Sequence, residues 1–354
     1  MADSRPVGDP ASVGIPPLLA HLSAIHADPS TPLETPLFEK IHTELNFYSL
    51  PFADNQSAYH ALLTHLITAL PLLADDAAVR TVTSLVDALT SRMPISAVLA
   101  FVTPEMLIAA MEAPHPAANL LGLDIVRRAE GKEGAKSALR GDVLRGLVTR
   151  WMYAEAVEVG QRGEEALVNL LEGTRADLVG ATRRLSIHDE DVDMADGVNG
   201  TAHPPLDIWE YLLDGEGGDI IRRACADPAS RQASLSQNRL LALLPKIAHL
   251  DLDALVASQA SGPNNLLTYA VDIVDREDMA MYFILVQFYK DLFREVYSAP
   301  QPTTRGSFAA LVAGRSGDTA AVRAVGELRR EALADEEQAE FGEWIASVVG
   351  DVGS

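Results

Sequence analysis

The sequence predicts an all-α protein whose helices pair into hairpins that stack along the chain. Apolar residues recur with helical spacing in short stretches, separated by turns rich in proline, glycine and aspartate. The 354 residues include 20 prolines and 24 glycines, enough to punctuate many short helices, and no alternating β-branched run predicts a strand. The apolar pairs Leu85-Val86, Ile125-Val126 and Leu167-Val168 recur at intervals of 40 and 42 residues. Such intervals are typical of HEAT and armadillo repeats, which favours an α-solenoid.

Residues 1–36 are predicted to form a proline-rich N-terminal arm ahead of the repeats. Seven of the prolines lie there, and Pro16-Pro17 is a suitable start for one short helix through Ile25. N-terminal HEAT-like repeats then cover residues 37–187. Their first helix covers residues 37–48, because Leu37, Ile41 and Leu45 share one helical face.

Three hairpins are predicted to follow. The first pairs residues 60–70 with 76–91, the second pairs a helix opening at Thr103 with residues 117–129, and the third pairs residues 141–152 with 155–172. In the second hairpin Thr103 is the expected N-cap and Pro104 the first helical residue. Pro114 and Pro116 end that first helix, because proline has no amide donor. Residues 176–187 are predicted as the first helix of another pair.

Residues 188–205 interrupt this pattern and predict an acidic, flexible insertion. Acids stand at positions 189, 190, 191, 193 and 196, with no apolar period around them. A calcium loop would need glycine where Met194 stands and a glutamate at its twelfth position, and the segment has neither. We interpret the segment as an exposed loop, with a flexible tether for a basic partner as the alternative.

Residues 206–354 are predicted to form C-terminal HEAT-like repeats and a cap. Helices are expected at 207–213, 219–226 and 231–249, and Pro245 should bend or end the third. The longest predicted helix covers residues 277–297 and contains six of the chain's 20 aromatic residues. We interpret it as buried between two layers, with a peptide-binding groove as the alternative. A hairpin of residues 306–315 and 318–333 and a cap at 336–349 complete the chain.

One internal match supports the repeat assignment. Asp75 with Val79-Arg80 matches Asp318 with Val322-Arg323. An aspartate at the turn with an arginine five residues later resembles the HEAT pattern, in which these side chains hydrogen-bond between successive repeats. The hairpin that opens at Thr103 carries His115 at the aspartate position, so the ladder should be interrupted there.

Charge narrows the choice of partners. The chain has 28 basic and 50 acidic residues and a net charge of −22, which repels phosphate backbones and anionic lipid. We therefore expect no nucleic acid and no membrane partner, and a basic protein surface as the better candidate. The alternative is that the acidity only keeps the helices soluble.

The sequence also predicts a compartment. No apolar run approaches the roughly 18 residues of a membrane span, and no signal peptide is recognisable. Cys225 is the single cysteine and excludes an internal disulfide. We expect a soluble, cytoplasmic monomer, with the nucleus left open as a second compartment.

A search for catalytic and metal-binding motifs yields no candidate. Gly131-Lys132 lacks the spacing of a phosphate loop, and no His-Glu-x-x-His, Gly-x-Ser-x-Gly or Cys/His arrangement is present. Cys225 is interpreted as a small core residue rather than a nucleophile. The sequence therefore predicts no catalytic residue, no metal ligand and no cofactor, and a protein that is not an enzyme.

Three short runs add a family resemblance. They are residues 101–107, residues 114–118 with their continuation to Leu123, and the segment Asp275-Arg276-Glu277-Asp278 before the aromatic helix. These runs resemble the 26S proteasome non-ATPase regulatory subunit 5 family, which contains the fungal base-assembly chaperone also labelled a DNA mismatch repair protein. The resemblance covers most of the chain from about residue 37 onward. It implies a right-handed HEAT/armadillo-like superhelix without enzymatic activity.

The same resemblance implies a partner, the C-terminal domain of one proteasomal AAA ATPase subunit, the first of the six base ATPases. By occupying that domain the chain would steer assembly of the ATPase ring and delay its docking onto the core particle. Second helices build the concave wall of such stacks, so the expected contacts are their polar outward positions: Arg80, Ser84, Asp87, Asn119, Asp124, Arg127, Gln161 and Glu165. Two other classes stay open, a transport-type adaptor for basic peptides and an enzyme with a pocket of convergent titratable groups.

Overall fold

The computed structural model describes residues 10, 13–48, 51–129, 140–185, 207–227, 230–257, 265–299, 308, 318–334 and 339–349. Within these ranges the secondary structure is helical throughout, without a strand. The helices are α1 (Ile15–Ala27), α2 (Thr35–Phe47), α3 (Gln56–Ala69), α4 (Asp76–Thr90), α5 (Ile95–Phe101), α6 (Pro104–Glu112), α7 (Pro116–Arg128), α8 (Gly141–Tyr153), α9 (Val157–Leu185), α10 (Ile208–Leu213), α11 (Glu216–Cys225), α12 (Arg231–Ala257), α13 (Leu266–Asp272), α14 (Met279–Ser298), α15 (Thr319–Ala334) and α16 (Ala339–Val349). The predicted all-α class is confirmed; the handedness of a superhelix stays a prediction.

The chain divides into two compact units, Met1–Leu147 and Val148–Ser354, with the division inside α8. In the first unit three hairpins, α1/α2, α3/α4 and α6/α7, follow one another. Their second helices form a continuous layer, because α4 packs on both α2 and α7. In the second unit, α12 packs on α9, α11, α13 and α14, and α15 packs on α14 and α16. Packing between neighbours in sequence is the arrangement expected of an α-solenoid.

The start and the buried face of α4 follow directly from its sequence. Asp75 is the N-cap, and its carboxylate accepts a hydrogen bond of 2.9 Å from the amide of Ala78. Val79, Val82 and Val86 recur at helical spacing and are fully or almost fully buried. α6 follows the same logic, since it starts at Pro104 behind the N-cap Thr103 and ends before Pro114. Both helices start where the sequence predicted, and the cap and proline predictions for α6 are confirmed.

Side chains of α7 cap the ends of two earlier helices in the first unit. Asn119 is buried and its amide nitrogen donates to three carbonyl oxygens at the end of α6, at 2.9, 3.1 and 2.9 Å. The guanidinium of Arg128 donates to the carbonyl oxygens of Thr90 and Met93, at 2.8 and 3.1 Å. The last carbonyl groups of a helix have no partner within it, so these contacts satisfy groups that burial would otherwise penalise.

In the second unit α12 supplies the same kind of cap. The buried guanidinium of Arg239 donates to the carbonyl oxygens of Met152 and Ala154 at the end of α8. Burial lowers the pKa of this guanidinium, which nevertheless stays charged, as arginine does in proteins. α9 leaves room for it at Gly160, where a Cβ would lie 2.5 Å from the Arg239 Nε. Gln237 donates to the last carbonyl of α11 at 3.0 Å.

α14 and α15 are joined by a buried aspartate. Asp318 caps α15 by accepting a hydrogen bond of 3.0 Å from the amide of Ala320. Its other carboxylate oxygen accepts from the Tyr289 hydroxyl at 2.9 Å and from the Arg276 guanidinium at 2.8 Å. One carboxylate therefore caps its own helix and binds two side chains from α14 and the turn before it.

The arginine and histidine positions of the predicted HEAT ladder make other contacts. Arg323 pairs with Glu327 of its own helix at 3.0 Å and lies over the Phe283 ring of α14, 4.7 Å from its centroid, so its contact with the preceding helix is made to an aromatic ring. His115 stands where the ladder was expected to be interrupted, and its Nδ1 instead contacts the carboxylate of Asp76 on the preceding hairpin. The hairpins are thus linked by side chains, but not by the predicted pairs.

Phe288, Tyr289 and Phe293 of α14 are buried, as the two-layer interpretation predicted, and Tyr297 is half-buried. Phe293 packs edge-on against Phe308 with ring centroids 4.9 Å apart, and Trp344 of α16 lies 6.0 Å from both rings. Near the start of the helix, Phe283 is 46 % exposed. Burial therefore applies to the end of α14 that faces α16.

One helix boundary predicted from the sequence is wrong, and one proline does not end its helix. α9 is one helix of 29 residues, so no separate helix starts at residue 176. Glycine inside a helix costs only about 1 kcal/mol relative to alanine, too little at Gly173 to end it. α12 continues past Pro245, so the proline does not end it; the helix is kinked at the non-helical Asp251, two residues after the predicted end at 249, where the Asp251 carboxylate accepts from the Ala254 amide at 2.9 Å. Burial of Leu244 beside the proline helps to offset the missing backbone hydrogen bond.

Two short helices were not predicted, and two predictions fall outside the described residues. α5 and α13 have seven residues each, too few to show a clear apolar period. The acidic insertion at 188–205 and, apart from Phe308, the helix at 306–315 lie outside the described ranges. In the part of the chain that the structure describes, no single helix is long and apolar enough to span a membrane. α5 and α6 reach the required length and hydropathy only when taken together, and the chain bends by 84° between them.

Replacing Arg239 with methionine should destabilise the second unit by about 2 to 4 kcal/mol, because two buried carbonyl oxygens lose their charged donor. Urea unfolding followed by circular dichroism measures the effect as a lower midpoint. Arg330→Met is the matched control, since this exposed guanidinium donates to Gly326 of its own helix; its effect should stay below about 0.5 kcal/mol. An unchanged midpoint in Arg239→Met would contradict the capping role.

Candidate functional site

The three predicted contact residues on α4 lie together on its exposed face. Arg80, Ser84 and Asp87 are spaced by four and three residues and are all exposed. The opposite face of the helix carries the buried valines that pack in the first unit. The structure therefore places this polar strip where a partner can reach it.

The predicted contacts on α7 divide into one buried and two surface residues. Asn119 is 3 % exposed and caps α6, so its predicted outward position is wrong. Leu123 and Val126, four and seven residues later, lie on the same face of α7 and are fully buried. Their apolar character at this spacing could have indicated from the sequence that Asn119 faces inward. Asp124 and Arg127 reach the surface and pair with each other at 3.2 Å. Because α7 packs on α4, these two belong to a second helix adjacent to the α4 strip.

The last two predicted contacts lie on α9, in the second unit. Gln161 and Glu165 are exposed and four residues apart, so they share a face. Glu165 pairs with Arg162 at 3.2 Å. Six of the eight predicted residues thus belong to the first unit and two to the second.

Sequence reasoning missed an apolar groove in the first unit, which we call the α3–α6 groove. Its volume is about 560 Å³, within the range of ligand and peptide pockets. Its walls are the end of α3 with the following turn on one side and α6 on the other, and its floor is formed by α4 and α7. The wall residues include Ile67, Leu70 and Leu73 on one side and Met106 and Ala109 on the other. The floor residues include Val79, Val86, Leu121 and Ile125.

The groove exists because the layer of first helices is interrupted. α3 packs on α1, but α3 and α6, both described over their full length, make at most marginal contact. α5 fills one end of the space, where the Phe101 ring lies 4.4 Å from the ring of His60 on α3. The other end of α3, from Ile67 onward, stays open. The wall residues Ile67, Leu70 and Met106 are accordingly only half-buried, whereas the floor residues are buried.

Helix spacing is the sequence signal that could have indicated this groove. The first helices α3 and α6 begin at Gln56 and Pro104, 48 residues apart, whereas the second helices α4 and α7 begin at Asp76 and Pro116, 40 residues apart. The additional residues precede α6 and contain α5. An insertion on one side only separates the first helices while the second helices stay stacked.

Polar groups at the groove are few and lie at its edge. His115 and Thr68 are the lining residues with polar side chains. His115 contacts the exposed carboxylate of Asp76, and the Thr68 hydroxyl lies 2.7 Å from Nε2 of His26 on α1. Glu105 and Glu112 are exposed. Glu105 stands four residues before the lining residue Ala109 and Glu112 three residues after it, so all three lie on the same face of α6. The mouth is therefore acidic and the interior apolar.

Two titratable groups have large pKa shifts, and burial is the main cause of both. Burial raises the pKa of the Cys225 thiol to about 12, so the thiol stays protonated and a poor nucleophile near pH 7. Burial also raises the pKa of Tyr269 to about 12. No group of three or more potential metal-ligating side chains occurs within the described ranges.

Asn119→Ala should destabilise the first unit by about 1 to 3 kcal/mol, because it removes the donor from three carbonyl oxygens at the end of α6. Thermal unfolding followed by circular dichroism is the measurement. Ser84→Ala is the control, an exposed residue of α4 that should change stability by less than about 0.5 kcal/mol. If Asn119→Ala unfolds like the parent protein, Asn119 is not a structural cap.

Comparisons with protein-family models, with curated proteins and with solved structures find no match for this chain.

Proposed function

We propose that this chain is a proteasome assembly chaperone that binds the C-terminal domain of one base AAA ATPase subunit, the first of the six, and controls assembly of the ATPase ring. The observation that carries the proposal is the exposed polar strip Arg80, Ser84 and Asp87 on α4, within the continuous layer of second helices. The family resemblance of residues 101–107, 114–123 and 275–278 supplies the identity of the partner. On this proposal the protein acts as a monomer in the cytoplasm, with the nucleus as a second compartment, and is not an enzyme.

Physical features of the first unit support binding without turnover. A layer of stacked helices gives a firm surface, and α4 presents its polar side chains while its apolar side is fixed in the core. Exposed polar residues of this kind contribute little to stability, so they are free to serve recognition. Asp124 and Arg127 extend the same layer on α7.

A second candidate is a helical-repeat adaptor that binds a basic protein or peptide. The α3–α6 groove favours it, because an apolar interior with an acidic mouth suits a basic, amphipathic segment. The net charge of −22 would also attract such a partner over distance.

Size-exclusion chromatography of the full chain, mixed separately with the C-terminal domain of each of the six base ATPases, tests the chaperone proposal. We expect a stable one-to-one complex with one of the six domains. Arg80→Glu should weaken that complex by about tenfold or more, because it reverses a charge in the proposed contact strip. Arg330→Glu makes the same charge change on α15 and should leave the affinity within about twofold.

A folded, helical chain that binds none of the six domains would exclude the chaperone function. If the complex forms equally well with Arg80→Glu, the partner is confirmed but the contact does not lie on the α4 strip. Equal binding to all six domains would indicate attraction by net charge rather than recognition.

A further inference from the structure

The layer of first helices in the first unit is interrupted between α3 and α6. α3 packs on α1, yet α6 stands away from α3, and the two helices are bridged only at one end, by α5. Beneath this space α4 and α7 pack on each other and present Val79, Val86 and Ile125 as an apolar floor. These floor side chains are at most 4 % exposed, so a partner would contact chiefly the half-buried wall residues Ile67, Leu70 and Met106.

We propose that the α3–α6 groove binds an amphipathic, basic α-helix of a partner protein, which takes the place of the missing contact between α3 and α6. This inference deepens the adaptor function proposed above and rests on it. The partner helix would insert a stripe of large apolar side chains, at i, i+3, i+4 and i+7, between Ile67 and Leu70 on one wall and Met106 on the other. Since α6 has nine residues, a partner helix of about three turns would match the wall.

The shape of the groove favours a helix over a small ligand. The half-buried walls Ile67, Leu70 and Met106 leave the groove open along its length rather than enclosed. A helix can lay one face into such a groove while its other faces stay in water. The two polar lining side chains, His115 and Thr68, already have partners in Asp76 and His26, so the interior offers few groups that would hold a polar small molecule.

The charge at the mouth selects a basic helix. Glu105 and Glu112 stand on either side of Ala109 on the exposed face of α6, and Asp75 and Asp76 stand at the start of α4. Arg140 pairs with Glu105 at 3.1 Å, and Arg80 follows the floor residue Val79, so among the described residues acids outnumber bases around the opening. Lysine or arginine residues that flank the apolar stripe of a partner helix would meet these carboxylates.

The test uses the full chain and a labelled 14-residue peptide of leucine, alanine and lysine, with both ends blocked and the leucines on one helical face. Fluorescence anisotropy measures its affinity. A peptide of identical composition, with its leucines spread around the helix, is the control for non-specific attraction between lysines and an acidic protein. We expect the amphipathic peptide to bind at least about tenfold more tightly than this control.

Two protein variants locate the binding. Ala109→Trp adds an indole at the groove mouth without changing charge and should weaken peptide binding about tenfold or more. Ala77→Trp is the matched control, an exposed alanine of α4 outside the groove lining, and should stay within about twofold. Circular dichroism of both variants verifies that the fold is retained.

Equal binding of the two peptides, or unchanged binding to Ala109→Trp in a folded protein, would overturn the inference. Self-association of the free chain that Ala109→Trp abolishes would assign the groove to a second copy and would overturn it too. Because the assay contains no ATPase domain, failure of the chaperone proposal leaves its result intact. Loss of peptide binding likewise does not bear on a complex made through the α4 strip.

Discussion

Each helix end that points into the protein must find donors for its last carbonyl groups, and the neighbouring helices supply them. Asn119 serves the end of α6, Arg128 the end of α4, and Arg239 the end of α8. These side chains are costly to bury without partners, so each fixes both the helix it belongs to and the one it caps. Short helices that would be marginal alone are thereby held at defined positions in each unit.

The same rule explains which surfaces are available for binding. Residues that face a neighbouring helix are committed to caps or to apolar packing, as Asn119 is, while those on the far side of a second helix remain exposed, as Arg80 and Ser84 are. Between α3 and α6, which pack only marginally on each other, the apolar faces of these helices instead line a groove with half-buried walls. The first unit thus offers a polar strip on the second helices and an apolar groove between the first helices, two surfaces with different chemistry.

Local signals in the sequence predicted most of the helices and few of the contacts between them. Asp75, Thr103 and Pro104 define helix starts through their own hydrogen bonds and dihedral angles, so they can be recognised without the fold. The groove depends on the distance between α3 and α6. No pattern within a single helix predicts this distance. Asn119 was wrongly predicted to point outward because it is polar. Its position on the helix indicates the opposite, since Leu123, four residues later on the same face, is fully buried.

The central claim is that the first-helix layer of the first unit is interrupted between α3 and α6. Hydrogen–deuterium exchange of the full chain tests it most directly, because amide protection reports how well each helix is held. The account predicts slower exchange in α4 and α7 than in α6 and the last turn of α3, and a gain of protection in the latter two when the amphipathic peptide is added. Equal protection of all four helices, unchanged by the peptide, would contradict it.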